Sequence, residues 1–307
     1  MSVIGIDTSN YTTSIAYFDG VGGENCSKLL PVKQGELGLR QSDAVFAHIK
    51  GLPELSGRLF SHVRTSEITA VGVSTRPRAV EGSYMPCFMV GYSHAKLLSD
   101  TLGVPLIEVS HQQGHVAASL WSAGYMELMD EPHLAWHLSG GTTELLLVVP
   151  EGKNVKCTKI GGTTDISAGQ LIDRTGQLLE LPFPSGKHID ALSKDAVLKE
   201  TFKVKCNNME FSLSGVQNKV QQFHTAHEEP AETAAYALRC VAKAVYLASE
   251  QALKAYPGLR VVFSGGVASN SMLREVIAPL NPIFSQPQFS TDNAMGVAVL
   301  THRATEG

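Results

Sequence analysis

The sequence predicts a mainly parallel α/β protein with two related lobes that face a cleft, because each half opens on a similar hairpin. Residues 3–18 contain an apolar strand, a small polar turn and a second strand. Residues 134–149 repeat this order around a Ser-Gly-Gly-Thr-Thr turn. The N–H groups and hydroxyls of such turns can face phosphate oxygens. We therefore expect an N-terminal lobe over residues 1–130 and a C-terminal lobe over residues 131–307.

Short apolar strands alternate with helical patterns in both halves, and this alternation is typical of parallel sheets. Strands are predicted at residues 68–74, 104–109 and 261–263. Helices are predicted at residues 90–102, 165–181, 232–255 and 294–304.

Composition excludes disorder as the main state of the chain. The 307 residues are 43% apolar and 18% charged, which is ordinary for a globular protein that is too long for one compact core. The formal net charge of -4 argues against binding nucleic acid by charge alone, because phosphate neutralisation needs clustered Lys and Arg. An RNA substrate would therefore need a local basic patch or a partner protein.

The cysteine pattern and the first residues indicate a cytoplasmic protein. The five cysteines are odd in number and none lies in a CxxC motif, so we expect reduced thiols. The chain opens directly on a strand, without a signal-peptide pattern, and has no apolar run long enough to span a bilayer. No membrane association is expected.

A His-rich segment follows the predicted strand that ends at Val109. Ser110 is a good N-cap, and Gln113 stands where its amide can complete a capping box. His111 and His115 are then four residues apart on one helical face, the spacing that lets two imidazoles reach one ion. The alternative is a pair of histidines near a helix start that bond to backbone or solvent.

Asp292 could complete such a metal site. It lies between a short apolar stretch and the predicted C-terminal helix, where Asp292 or Asn293 could instead cap that helix. Two histidines and one carboxylate, with the remaining positions open, suit Zn²⁺ or Fe²⁺.

Two further segments have features of nucleotide-binding loops. Residues 261–274 run from a strand through a glycine turn at Gly266 into a helix, which also fits a tight connection without ligand. The predicted helix from Asp165 carries Gly169 and Asp173 at intervals of four, on one stripe. Its alternative is N-capping by Asp165 and a solvated Asp173.

The order of the motifs resembles that of the TsaD/Gcp proteins, the tRNA N6-adenosine threonylcarbamoyltransferases once called O-sialoglycoprotein endopeptidases. The resemblance spans almost the whole chain, and the joint pattern is far more specific than any single motif. The motifs are, in order, GIDTS, HQQGH, SGGTTEL, TTDISAGQLIDR, FPSGKHID, FSLSGV, SGGVASNSMLR and STDN.

The resemblance implies the actin-like ATPase fold of sugar kinases, Hsp70 and actin, with a nucleotide cleft between two lobes. It implies transfer of threonylcarbamoyl from its adenylate to N6 of the tRNA adenosine beside the anticodon, with a divalent Fe or Zn ion held by His111, His115 and Asp292. It assigns Asp165 a catalytic role in orienting the reacting groups. The implied partners are tRNA, a smaller protein of the same fold and an ATPase component. The implied nucleotide or substrate contacts are Thr142, Thr143, Asp165, Gly169, Asp173, Asp190, Gly266 and Asn270.

Several positions depart from the family pattern and identify a divergent member. Gln113 stands where the family has a glutamate, and Thr142 stands where it has a histidine. Acidic residues of the family pattern are absent at four further positions. Two alternatives follow: a paralogue that binds nucleotide and metal in an assembly role, or a carbamoyltransferase for another acceptor. Protease activity is not expected, because the HxxxH segment lacks the Glu of HExxH. The lost acidic positions are Asn10, Tyr11, Ile166 and Gln170.

Overall fold

The computed structural model describes residues 1–9, 11–31, 39–197 and 203–306. The chain forms two compact units. The first contains Met1–Glu131, Val149–Cys157 and Asp292–Gly307, and the second contains Pro132–Val148 and Thr158–Thr291. The division into lobes at residues 1–130 and 131–307 remains a prediction.

The first unit is built on one mixed sheet with α-helices around it. Its strands are β1 (Ser2–Asp7), β2 (Thr12–Phe18), β3 (Gly23–Leu29), β4 (Ile68–Arg76) and β5 (Leu106–Ser110). The order in the sheet is β3-β2-β1-β4-β5, with β2 antiparallel to β1 and to β3, while β4 is parallel to β1 and to β5. Its helices are α1 (Gln41–Phe60), α2 (Phe88–Leu102), α3 (His111–Ala123) and α10 (Met295–Thr305).

Helices α3 and α10 of the first unit pack closely against each other. Gly296 lies in the first turn of α10, and a Cβ there would overlap the carbonyl oxygen of Gly114 in α3. The two helix backbones therefore touch, which only a glycine at this contact permits. Because Asp292 lies three residues before the start of α10, this contact also helps to place Asp292 near α3.

The second unit is also built on a mixed sheet. Its strands are β6 (His133–Leu138), β7 (Thr143–Glu151), β8 (Asn154–Thr163), β9 (Glu210–Phe211), β10 (Val261–Ser264) and β11 (Ile283–Phe284), in the order β11-β10-β6-β7-β8-β9. Strand β6 pairs antiparallel with β7 and parallel with β10. The helices are α4 (Ala168–Leu178), α5 (Gly186–Leu192), α6 (Ser214–His227), α7 (Pro230–Ala255), α8 (Ser271–Ile277) and α9 (Pro287–Ser290).

The core of the second unit lies between its sheet and the long helix α7. Trp136 and Phe263 from the sheet are fully buried against a row of small α7 residues that includes Ala244 and Ala248. The Trp136 indole Nε1–H donates to Ser249 Oγ at 2.8 Å, so the one polar atom of this ring is satisfied. Small residues on α7 let bulky sheet residues fill the space between the layers.

Both predicted hairpins are confirmed, as β1–β2 and β6–β7. The helix expected from residue 165 instead begins at Ala168, because Ser167 caps it and Gln170 completes a capping box. All five cysteines are unpaired, as expected. Within the described ranges, no helix combines the length and apolarity that a bilayer crossing requires.

Candidate metal centre and nucleotide-binding residues

The start of α3 is defined by the capping box that the sequence predicts. Ser110 Oγ accepts from the Gln113 N–H at 3.3 Å, and Gln113 Oε1 accepts from the Ser110 N–H at 2.8 Å. The helix therefore begins at His111, directly after β5, and His115 lies one turn later on the same face.

Three ligand atoms converge where α3 meets the segment before α10. His115 Nε2 lies 2.9 Å from His111 Nε2 and 3.2 Å from Asp292 Oδ1, and His111 Nε2 lies 3.5 Å from the same Asp292 oxygen. His115 is buried, whereas His111 and Asp292 are half-buried. Among the described residues, these are the only His, Cys, Asp or Glu side chains grouped closely enough to hold one metal ion.

The chemistry of these donors fits a divalent metal. Two imidazole Nε2 atoms that face each other at 2.9 Å need a proton or a cation between their lone pairs. Two nitrogens and one carboxylate oxygen are a common partial ligand set for zinc or ferrous iron, with other positions left for water or substrate.

Asp7 lies behind this triad, and the sequence analysis did not identify it. The His111 Nδ1 atom lies 2.9 Å from Asp7 Oδ2, and the Ser74 hydroxyl donates to the same oxygen at 2.7 Å. The Ser9 N–H donates to Asp7 Oδ1 at 2.9 Å. Asp7 ends β1 and Ser74 lies opposite it near the end of parallel β4. A carboxylate at the carboxyl end of a fully buried parallel strand is the signal that could have found it, because ligands bind at that edge.

Burial and charge compete within the cluster. Burial opposes ionisation of Asp292, but hydrogen bonds and charge from His111 and His115 hold the pKa of that carboxyl well below its usual range. Burial opposes a charged His111, but Asp7 and Asp292 raise the pKa of its imidazole to about 10. The cluster thus favours a positive charge at the point where the ligand atoms meet, and a bound metal would replace that proton.

The neighbouring residues have structural roles. Asn293, rather than Asp292, accepts from the Met295 N–H at 3.0 Å at the start of α10, which leaves the Asp292 carboxylate with the histidines. The Gln113 Nε2 group donates to the Val155 carbonyl oxygen at 2.7 Å. A glutamate, the usual family residue at this position, has no N–H to donate, so Gln113 makes a bond that an ionised glutamate could not.

In the second unit, the turn between β6 and β7 packs on the start of α4. Thr143 Oγ1 accepts from the Ala168 N–H at 2.8 Å, and the Ser167 hydroxyl donates to the Gly140 carbonyl oxygen at 2.6 Å. A Cβ on Gly169 would lie 2.5 Å from the Gly140 Cα, so only glycine allows this approach. Thr142, at the end of the same turn, is half-buried. The structure therefore brings Thr142, Thr143 and Gly169 together.

Asp165 does not lie in a helix, so the prediction that Asp165, Gly169 and Asp173 share one helical stripe is wrong for Asp165. This residue precedes α4 by three positions, and its carboxylate lies at the start of α6. There it accepts from the Ser212 and Ser214 hydroxyls at 2.5 and 2.6 Å and from the Leu213 N–H at 2.8 Å. Partial burial would raise the pKa of Asp165, but these hydrogen bonds lower it to about 2.

Asp190 and Asn270 lie together at the start of α8. Asp190 Oδ1 accepts from Asn270 Nδ2 at 2.7 Å and from the Ser271 N–H at 3.0 Å, while Asn270 Oδ1 caps the helix through the Leu273 N–H at 3.0 Å. Gly266, in the turn before this helix, is exposed.

Asp173 lies in α4 and makes a separate contact with a residue outside this helix. Its Oδ1 accepts from the Ser185 N–H at 2.8 Å, and burial raises the pKa of its carboxyl despite this bond. The alternative of a solvated Asp173 is therefore wrong, because the side chain is half-buried and ties α4 to the segment before α5.

Three of the four positions that lack the family's acidic residue lie in the described part of the chain, and local contacts account for two of them. Gln170 Oε1 accepts from the Ser167 N–H at 3.0 Å as part of the α4 capping box, and Ile166 packs against the apolar core of the second unit. Tyr11 is half-buried in the turn between β1 and β2. Asn10 lies outside the described residues.

Solved structures of low sequence identity share this fold. Full-length HypF matches with a TM-score of 0.63 at 15% identity over 100% of this chain and 47% of its own. The 2-hydroxyglutaryl-CoA dehydratase component A of Acidaminococcus fermentans matches at 0.57 and 14% identity, over 99% of this chain and 100% of its own. A ROK hexokinase from Thermus thermophilus matches at 0.52 and 15% identity over 100% of both. The predicted actin-like ATPase fold is confirmed.

Sequence similarity identifies the family of the chain, which the similar folds alone do not. Residues 36–299 match the family model of TsaD, tRNA N6-adenosine threonylcarbamoyltransferase. The Carboxydothermus hydrogenoformans protein of that name is 32% identical over 272 residues, 85% of this chain and 78% of the relative. Its Streptococcus suis namesake is 33% identical over 229 residues, 72% of this chain and 65% of the relative. This family is one of transferases that act in tRNA modification, and the chain described here belongs to it.

Proposed function

We propose that this protein transfers the threonylcarbamoyl group from threonylcarbamoyl-AMP to N6 of the tRNA adenosine next to the anticodon, in the cytoplasm. The observation that carries the proposal is the convergence of His111, His115 and Asp292 in a chain that belongs to the TsaD family. Two imidazole nitrogens and a carboxylate oxygen that lie within 3.5 Å of one another offer three ligands to one cation.

One divalent ion, iron or zinc, would be held by this triad. When bound, such an ion would act as a Lewis acid and template, which polarises a carbonyl group and orients it. The protein contributes the ligand set, and its capping box and the α3–α10 contact place the three side chains in advance. Geometry that is set before substrate arrives avoids a cost at the moment of reaction.

The adenine nucleotide would bind to the second unit. We propose that the hydroxyls of Thr142 and Thr143 hold phosphate oxygens, with Gly169 allowing close approach. The Thr142 N–H donates to Ser139 Oγ at 3.1 Å and so helps to shape this turn. Asp173 and Gly266 would line the same nucleotide. Among the described residues, the bonds to the Asp190 carboxylate reach Oδ1, so its Oδ2 could accept a ribose hydroxyl beside Asn270. Attack by the adenosine amine would release AMP from these contacts.

Asp165 would orient the reacting groups, as the family resemblance implies, by holding the start of α6. Ser212, Leu213 and Ser214 belong to the FSLSGV motif, and the Asp165 carboxylate accepts a hydrogen bond from each of them. We therefore assign Asp165 a positioning role through this motif.

Partners of this activity follow from the family alone. Transfer needs tRNA, and at a formal net charge of -4 the protein would depend on a local patch or on other proteins to bind it. We propose a smaller protein of the same fold and an ATPase component as those partners.

The two alternative functions have less support. A catalytically altered paralogue is motivated by the lost acidic residues, but Gln170 and Ile166 have structural uses in α4 and the core. A carbamoyltransferase for another acceptor has no support in the comparisons, because the similar solved structures show the fold alone.

A strain depleted of its own threonylcarbamoyltransferase tests the proposal. Expression of this chain with its native partners should restore the modified nucleoside in bulk tRNA, measured by mass spectrometry. The matched control is the same chain with His111→Ala and His115→Ala, which should restore none. If modification stays absent although the wild-type protein is soluble and metal-loaded, the paralogue becomes the better reading.

A further inference from the structure

The Asp7 carboxylate is held from three directions. It is 1% exposed, and its partners are the Ser9 N–H, the Ser74 hydroxyl and the His111 ring nitrogen Nδ1. Burying an ionised carboxylate costs several kcal/mol unless such donors replace water. The desolvation cost of this buried carboxylate at the end of β1 indicates a specific role, and its contact with His111 suggests which one.

The geometry leaves one arrangement of the ring proton of neutral His111. Asp7 Oδ2 lies 2.9 Å from His111 Nδ1 and already accepts from Ser74, so a lone pair on Nδ1 would face a negative oxygen. A neutral ring therefore carries its hydrogen on Nδ1, because Asp7 Oδ2 lies 2.9 Å from Nδ1 whereas Asp292 Oδ1 lies 3.5 Å from Nε2. Its Nε2 lone pair then faces His115 Nε2 and Asp292 Oδ1.

We propose that Asp7 is a positioning residue for the metal site, which fixes the His111 tautomer that presents Nε2 to the ion and, with Asp292, balances a dication in charge. This inference rests on the proposed metal site. Ser74 acts one step further out, because its hydroxyl donates to the same Asp7 oxygen that accepts the hydrogen bond from His111 Nδ1. Carboxylates behind metal-bound histidines orient the ring and raise its basicity, and their loss typically weakens metal binding about 10- to 100-fold.

Metal affinity of the purified full chain measures this role without an activity assay. Zn²⁺ affinity is measured by competition with a chromophoric chelator, and the ligand geometry by the visible absorption of the Co²⁺-loaded protein. Asp7→Asn keeps the shape but loses the charge, and its amide can also donate to Nδ1. We expect Zn²⁺ affinity about 10- to 100-fold weaker and an altered Co²⁺ spectrum.

Two further variants and one control sharpen the test. Asp7→Glu keeps the charge and should recover most of the affinity, while Ser74→Ala should weaken it less than Asp7→Asn does. Asp19→Asn is the matched control, because Asp19 is an exposed carboxylate of the same unit that binds the N–H groups of Val21 and Gly22. It should leave the affinity and the spectrum unchanged.

The outcomes separate this inference from the proposed function. Wild-type protein that binds Zn²⁺ while Asp7→Asn binds it within about threefold, with the same Co²⁺ spectrum, would overturn the role of Asp7 alone. Wild-type protein that binds neither ion would overturn the metal site and this inference together. If Asp7→Asn does not fold, Ser74→Ala decides, and wild-type affinity in that variant would count against the proposal.

Discussion

The metal triad of the first unit and the predicted nucleotide residues of the second differ in how the fold uses them. In the triad, three ligand atoms point at one another within 3.5 Å, and no regular element needs that arrangement. In the second unit, Asp165 and Asp190 each accept backbone N–H groups at the start of a helix. The triad thus indicates function directly, whereas each carboxylate of the second unit also has a structural use.

Removing the triad histidines should give the largest effect. His111→Ala combined with His115→Ala leaves one ligand, so metal content should fall from nearly stoichiometric to nearly none, as measured by elemental analysis of the purified protein. His62→Ala is the matched control, since this exposed histidine pairs with Glu24 in the same unit. Full metal content in the double variant would rule out the triad.

Nucleotide binding should give the next largest effect, and it tests whether the second unit does more than cap its helices. Saturating AMP, ADP or ATP with metal present should raise thermal stability, by about 2.7 kcal/mol at a hundredfold excess over Kd. Asp173→Ala and Asn270→Ala should weaken that shift. Ser249→Ala, which removes the acceptor of the Trp136 indole in the core of the same unit, should lower stability and leave most of the shift in place. No binding at millimolar nucleotide by calorimetry would refute the site.

The smallest effect is expected for Asp165, whose carboxylate anchors the start of α6. Asp165→Asn should lower the free energy of unfolding by about 1 kcal/mol, as the loss of a helix cap does. The measurement is urea unfolding, with hydrogen exchange at residues 213–216 to locate the change. Unaltered exchange there would contradict the assignment.

The acid dependence of this difference follows from the lowered pKa of Asp165. A folded pKa of about 2, below the unfolded value near 3.9, means that the stabilisation is complete above about pH 4 and lost as the pH falls towards 2. The wild type and Asp165→Asn should therefore converge in stability across that interval. A difference at pH 2 as large as the difference at pH 7 would show that the charge is not responsible.

Local patterns in the sequence were enough to predict both hairpins, the capping box of Ser110 and Gln113, and the shared helical face of His111 and His115. Each depends on residues within a few positions of one another, so strand periodicity and capping chemistry decide it. Motif order also identified the family, and the STDN segment suggested Asp292 as the carboxylate of the predicted metal site. The start of α4 was misplaced by three residues, because Asp165 and Ser167 are both good caps and local chemistry does not choose between them.

Only the tertiary structure decided that Asp165 serves α6, that Gln113 reaches Val155, and that Asp7 stands behind His111. The last contact joins residues 104 positions apart, at the carboxyl ends of β1 and β5, which the sheet places on either side of β4. Spacing along a chain carries information over a turn or two of helix, whereas which strand ends meet depends on sheet order. That order is set by the burial of both faces of the sheet, which no single segment encodes.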